Sequence, residues 1–92
     1  MERFRVKKRL RVPYHVQGYI FFFSRRYKSL PKEKRDRIRA HCKECGGEHW
    51  RALLEYMTTD AGAVEICGRY FISQSTLERV AERYFTEWPK GL

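Results

Sequence analysis

Residues 61–84 read AGAVEICGRYFISQSTLERVAERY, and the spacing of apolar positions in this stretch decides the fold. Val64 and Ile66 are followed by Ile72, Leu77 and Val80. These positions suit a short helix, a tight turn and a second helix whose inner faces meet at a steep angle. Cys67 takes the small-residue site where two such helices approach most closely. Ser73 stands where its hydroxyl can accept a backbone N–H and cap the second helix, with Ser75 and Glu78 as an alternative capping pair. Leu77, Val80, Ala81, Tyr84 and Phe85 continue at helical spacing to about Glu87, Trp88 can close the same face, and Pro89 stops continuation. Phe71, flanked by Tyr70, holds the turn position where glycine would adopt a left-handed backbone freely. The turn therefore carries a strain or is shaped differently.

The helical period recurs towards the N-terminus. Glu48–Thr58 places Trp50, Leu53, Leu54 and Met57 at i, i+3, i+4 and i+7. Thr58, Thr59 or Asp60 can then cap a short helix over Ala61–Gly68. Residues 31–45, PKEKRDRIRAHCKEC, predict a strongly basic helix, opened by Pro31 with Glu33 in its first turn and ended by Gly46-Gly47. Ile38, Cys42 and Cys45 form its narrow apolar face. Pro13 opens another helix to about Ser29, with Val16, Tyr19, Ile20, Phe23, Tyr27 and Leu30 on one face. Phe21 and Phe22 widen that apolar surface and are candidate contacts with a second copy of the chain. Residues 1–12, MERFRVKKRLRV, alternate cations with Phe4, Val6, Leu10 and Val12. Such alternation fits a strand, yet no second alternating segment exists to pair with it, so a basic arm is expected. The expectation is one all-α domain over residues 1–92 with about five helices. It comprises a basic arm (1–12), a helical support (13–58) and a C-terminal helix-turn-helix (60–88).

The run Ile66-Cys67 followed by Ile72-Ser73-Gln74-Ser75-Thr76-Leu77 resembles the helix-turn-helix of bacterial regulators and of region 4 of sigma factors. In length and organisation the whole chain also resembles small prophage-encoded transcriptional regulators of the RinA and ArpU type. The resemblance implies that the exposed side of the second helix, Gln74, Ser75, Thr76, Arg79 and Arg83, enters the major groove. Glutamine can bind adenine and arginine guanine, each bidentately. Glu78 and Glu82 would repel phosphates there, contact cytosine, or pair with the neighbouring arginines. The same apolar pattern also fits an ordinary helical hairpin in the core.

Charge points the same way but from the other half of the chain. The net charge is +9 and the pI near 9.8, which favours a polyanionic partner. Residues 1–45 hold 15 Lys+Arg against 4 Asp+Glu, a net of +11, whereas residues 46–92 hold 5 against 7, a net of −2. The candidate phosphate contacts are Arg3, Arg5, Lys7, Lys8, Arg9 and Arg11 in the arm, with Lys34, Arg35 and Arg37 in the basic helix. Double-stranded DNA is the expected partner, with homodimers reading palindromic half-sites as one arrangement. The alternative is a small phage-type inhibitor or adaptor that docks on a nucleic-acid-processing enzyme, such as RNA polymerase or a CRISPR nuclease.

Other chemistries find less support. Cys42-Lys43-Glu44-Cys45-Gly46 resembles one knuckle of a zinc ribbon, and Cys42, Cys45, His49 and Cys67 are the available ligands. A second ligand pair is missing, and helical periodicity already accounts for Cys42 and Cys45 as small core residues. No metal or other cofactor is therefore expected. No glycine-rich phosphate loop or His-Glu-x-x-His pattern occurs, so the expectation is a binding protein rather than an enzyme. The longest apolar run, Tyr19-Ile20-Phe21-Phe22-Phe23, is too short to span a bilayer, and no membrane partner is expected. With no export signal in view, three cysteines fit a reduced cytoplasmic setting.

Overall fold

Two prolines and one glycine set the boundaries of the N-terminal helices in the computed structural model, which describes residues 11–92. Pro13 lies just outside helix α1 (Tyr14–Arg25), and its carbonyl accepts from the Val16 and Gln17 amides, each at 3.0 Å. Pro31 stands in the same relation to α2 (Lys32–Gly46), its carbonyl accepting from Arg35 N–H at 3.0 Å. Both prolines thus sit one position earlier than expected, as the residue whose extended ψ leads into the helix. Gly47, at φ 56°, ends α2, and a single 3-10 turn (Gly47–His49) leads into α3 (Trp50–Thr58). The left-handed φ is open to Gly47 without steric penalty. A short helix α4 (Ala63–Tyr70) and a longer α5 (Gln74–Thr86) follow. The described residues are all-helical, with no strand. The alternating segment falls almost wholly in residues 1–10, outside the described residues.

The packing is built around α2, α3 and α5. Helix α2 packs against α3 and α5, α3 also meets α1, α4 and α5, and α4 rests on α5. The expected inner faces of α2 and α5 are buried: Ile38, Cys42 and Cys45 on one, Leu77, Val80, Ala81, Tyr84 and Phe85 on the other. Ala52, Leu53 and Met57 of α3 and Ile66 of α4 complete the core, while Trp50 and Leu54 are only half-buried.

Helix α1 corrects the expectation most. Its helical backbone stops at Arg25, with a 3-10 turn at Tyr27–Ser29. Its buried residues are Gln17, Ile20 and Ser24, whereas Tyr19, expected inward, is 51% exposed. The reason is polar pairing. Ser24 Oγ donates to the Ile20 carbonyl at 2.7 Å and meets Tyr84 Oη at 2.7 Å. Gln17 Nε2 donates to the Val12 carbonyl at 2.9 Å. Buried polar groups so satisfied lose little on leaving water, and the helix rotates to serve them.

Tyr84 is the centre of this arrangement. Beyond its link to Ser24, its backbone carbonyl accepts from His41 Nε2–H at 2.9 Å, so α2 supplies a donor to a carbonyl in the last turn of α5. The His41 and Tyr84 rings lie 4.9 Å apart, and Trp88 packs on both. The residues after α5 fold back over α1 and α2. Tyr19 Oη donates to the Leu92 carbonyl at 2.9 Å, Lys34 Nζ to Gly91 at 3.3 Å and Arg37 Nη2 to Lys90 at 3.2 Å.

Candidate nucleic-acid interface

The turn between α4 and α5 forms where the sequence placed it, with a left-handed residue that is not glycine. Phe71 has φ 57° and ψ 46°. Its amide and that of Ile72 both turn back to the Cys67 carbonyl, the latter at 3.2 Å. The chain then extends through Ser73, whose Oγ accepts from Thr76 N–H at 3.1 Å and starts α5. Ser73 is thus the cap, and the Ser75–Glu78 pair is not used as one. Helix α4, expected over 61–68, is displaced to Ala63–Tyr70, and its preceding Gly62 offers no side-chain cap. Thr58 and Thr59 instead return their hydroxyls to the Leu54 and Glu55 carbonyls at the end of α3, and Asp60 pairs with Arg25.

Ile66, Leu77 and Val80 are buried and Ile72 half-buried, but Val64 is 74% exposed. At 100° per residue Val64 lies about 200° from Ile66 on α4, so both cannot face inward. Cys67 is half-buried, close to its expected place.

The residues named for base contact divide into two groups. Gln74, Ser75 and Arg79 are exposed on the first turns of α5, and neither Gln74 nor Arg79 has a side-chain partner among the described residues. Thr76 is half-buried, its Oγ1 held by Ser73 at 2.8 Å. Arg83 is committed elsewhere. Its Nη1 donates to the Cys45 carbonyl at 3.2 Å, and its Nε and Nη2 grip Glu87 at 3.0 and 3.3 Å. That bidentate pair holds the Glu87 carboxyl below its ordinary range and keeps Arg83 charged. The acid that Arg83 of α5 pairs with is Glu87, four residues on.

The basic helix is also largely engaged. Lys34 and Arg37 hold the chain after α5, as above, and Arg35 is half-buried with its Nε out of water. Lys32 and Arg39 flank Asp36 at 2.8 and 3.0 Å, with the Lys32 contact foremost in holding that carboxyl below its usual range. Lys43 and Arg51 lie over the Trp50 ring, 4.8 and 4.9 Å from its centre. Arg69 pairs with Glu55 and Glu65. Arg11 is exposed, whereas Arg3, Arg5, Lys7, Lys8 and Arg9 lie outside the described residues.

The four candidate zinc ligands do not converge, and no group of three or more His, Cys, Asp or Glu side chains among the described residues is placed to hold a metal. Burial pushes the Cys42 thiol up to about 12 and the Cys45 thiol up to about 11, so both stay protonated at neutral pH. Burial also lowers the His41 pKa, leaving the ring neutral. The Cys45 thiol lies 3.6 Å from its Nδ1 and is a weak donor to that acceptor nitrogen of the neutral ring. His49 is half-buried beside Glu48. No helix among the described residues is long and apolar enough to cross a membrane.

One basic surface escaped the sequence reading. Arg25, Arg26 and Lys28 at the end of α1 line a cleft of about 490 Å³ with Ser29, Thr58, Thr59 and Asp60. Arg26 and Lys28 are exposed there. The only advance signal was the triplet of cations itself, since the α3 end it meets lies some thirty residues further along. Compared with protein-family models, with curated proteins and with solved structures, the chain matches none of them.

Proposed function

We propose that the chain is a sequence-specific regulator that binds double-stranded DNA, with α4, the Phe71 turn and α5 acting as a helix-turn-helix. The supporting observation is the contrast along α5. Gln74 and Arg79 project without side-chain partners on its first turns, while the inner face is buried and Arg83 braces its far end. Side chains free to exchange water for base edges, on a helix held rigidly from behind, are what direct readout requires. The exposed Arg26 and Lys28 then serve as phosphate contacts, together with Arg11 and the cations of residues 3–9, and fix register rather than sequence.

Selection from a random duplex pool tests this reading. An enriched motif is expected, and Arg79→Ala or Gln74→Ala should each lose about 1–3 kcal/mol on the enriched site and much less on random duplex. No enrichment, or a specificity ratio untouched by both substitutions, refutes it. A second reading, a docking protein for a nucleic-acid enzyme, draws on one feature: Tyr14, Tyr19 and Phe22 leave half or more of their surface exposed along α1, at 69%, 51% and 55%.

A further inference from the structure

Phe71 combines two features that each work against the folded chain. It is the one non-glycine among the described residues with a positive φ. The residue is also 93% exposed, more than any other large hydrophobic residue described. Left-handed backbone is disfavoured for a residue with a Cβ, and glycine at this position would make the same Cys67-directed turn without that penalty. An exposed ring recovers nothing by burial. Strain held at a position where the fold gains no contact points to a contact outside the fold. The position is two residues before Ser73, the cap of α5, at the same end of that helix as Gln74 and Ser75. The net charge of +9 favours a polyanionic partner, with the attraction supplied by residues 1–45, since residues 46–92, which hold Phe71, carry a net of −2.

Resting on the DNA-binding reading above, we infer that Phe71 is a specificity-determining contact, its ring packing on the 5-methyl group of a thymine at the edge of the site read by α5. Phenylalanine is among the side chains that recognise this methyl, the one apolar group displayed in the major groove. Gln74 and Arg79 supply polar readout, and Phe71 adds an apolar test at a neighbouring base pair. Leaving the ring in water in the free protein keeps it available for that contact.

The experiment uses the full chain and a duplex enriched by selection. Each thymine of that duplex is replaced in turn by deoxyuridine, which removes only the methyl group. One replacement should weaken binding by the wild-type chain about fourfold, the equivalent of one buried methyl group. Phe71→Gly should bind the unmodified duplex about fourfold more weakly and lose all sensitivity to that replacement. The same variant should melt about 4–8 °C higher, because the turn is relieved. Greater stability with weaker binding separates a contact from a folding defect. Val64→Ala, an exposed apolar residue elsewhere on α4, should change neither affinity nor methyl sensitivity. The inference is overturned if Phe71→Gly keeps full affinity or the methyl dependence, or if Val64→Ala loses as much. In that case Gln74→Ala still weakening the enriched site leaves the DNA-binding reading standing. Absence of any enriched duplex removes both.

Discussion

Helices α2 and α5 both carry cations, but α2 carries six and α5 two. On charge alone α2 is the better nucleic-acid surface. Yet Lys34 and Arg37 hold backbone carbonyls, Lys32 and Arg39 share Asp36, and Lys43 lies over Trp50. On α5 one arginine of the two, Arg79, is free of side-chain partners among the described residues. The difference teaches that availability, not the number of charges, decides which helix can meet a ligand. At these five cations of α2 a phosphate must first displace an existing partner, and at Arg79 it need displace only water.

The comparison depends on α5 being held rigidly, and the largest expected effect comes from releasing it. Tyr84→Ala removes the ring shared by α1, α2 and α5 and should cost about 3–5 kcal/mol in urea unfolding. A loss under about 1 kcal/mol would mean that α5 is not braced through Tyr84. Next comes the question of which cations meet phosphate. Arg26→Ala with Lys28→Ala should flatten the log–log salt dependence of DNA binding by about 1.8, with similar losses on every sequence. Lys34→Ala with Arg37→Ala should leave that slope nearly unchanged and lower the melting temperature by freeing the residues after α5. The reverse pattern would make α2 the phosphate surface.

Smaller effects sharpen the picture at the two ends of α5. Ser73→Ala should cost about 1 kcal/mol by removing the cap, whereas Ser75→Ala should cost less, as measured by thermal melts. At the other end, His41 is neutral in the fold with its pKa lowered from 6.5, chiefly by burial. The unfolded chain therefore takes up this proton first as pH falls. Stability from this site is complete above about pH 6.5 and declines below it towards the lowered folded value. His41→Gln, which keeps a donor for the Tyr84 carbonyl, should remove that part of the acid slope in unfolding curves recorded between pH 7 and 5.

How far the sequence could be read followed from what each helix buries. In α5 the buried face is apolar apart from the Tyr84 hydroxyl, so Leu77, Val80, Ala81, Tyr84 and Phe85 could be named from spacing, and Ser73 from cap chemistry. In α1 the buried face includes Gln17 and Ser24, and hydrophobic periodicity has no way to select them. Val64 was misplaced because α4 is only eight residues long, too short for a period to fix its phase. The cost at the turn was legible in Phe71 itself, since the residue type conflicts with the backbone the turn demands. Availability of the cations was not legible. It depends on Asp36, Glu87 and backbone carbonyls that only the folded chain brings alongside.

The two tryptophans give the molecule a pair of optical reporters on opposite sides of this contrast. Trp88 is packed against Phe23, His41 and Tyr84, with its indole N–H buried and without a hydrogen-bond partner among the described residues. Trp50 is half-buried beneath Lys43 and Arg51. An indole in apolar surroundings emits at shorter wavelength than one beside water, so Trp88 should report release of the α2–α5 seam as a red shift. Trp50 should respond instead to ions gathering around its two cations. Because the His41 ring lies 5.7 Å from Trp88, protonation of that imidazole should quench the emission, making the acid transition visible in the light of a single residue.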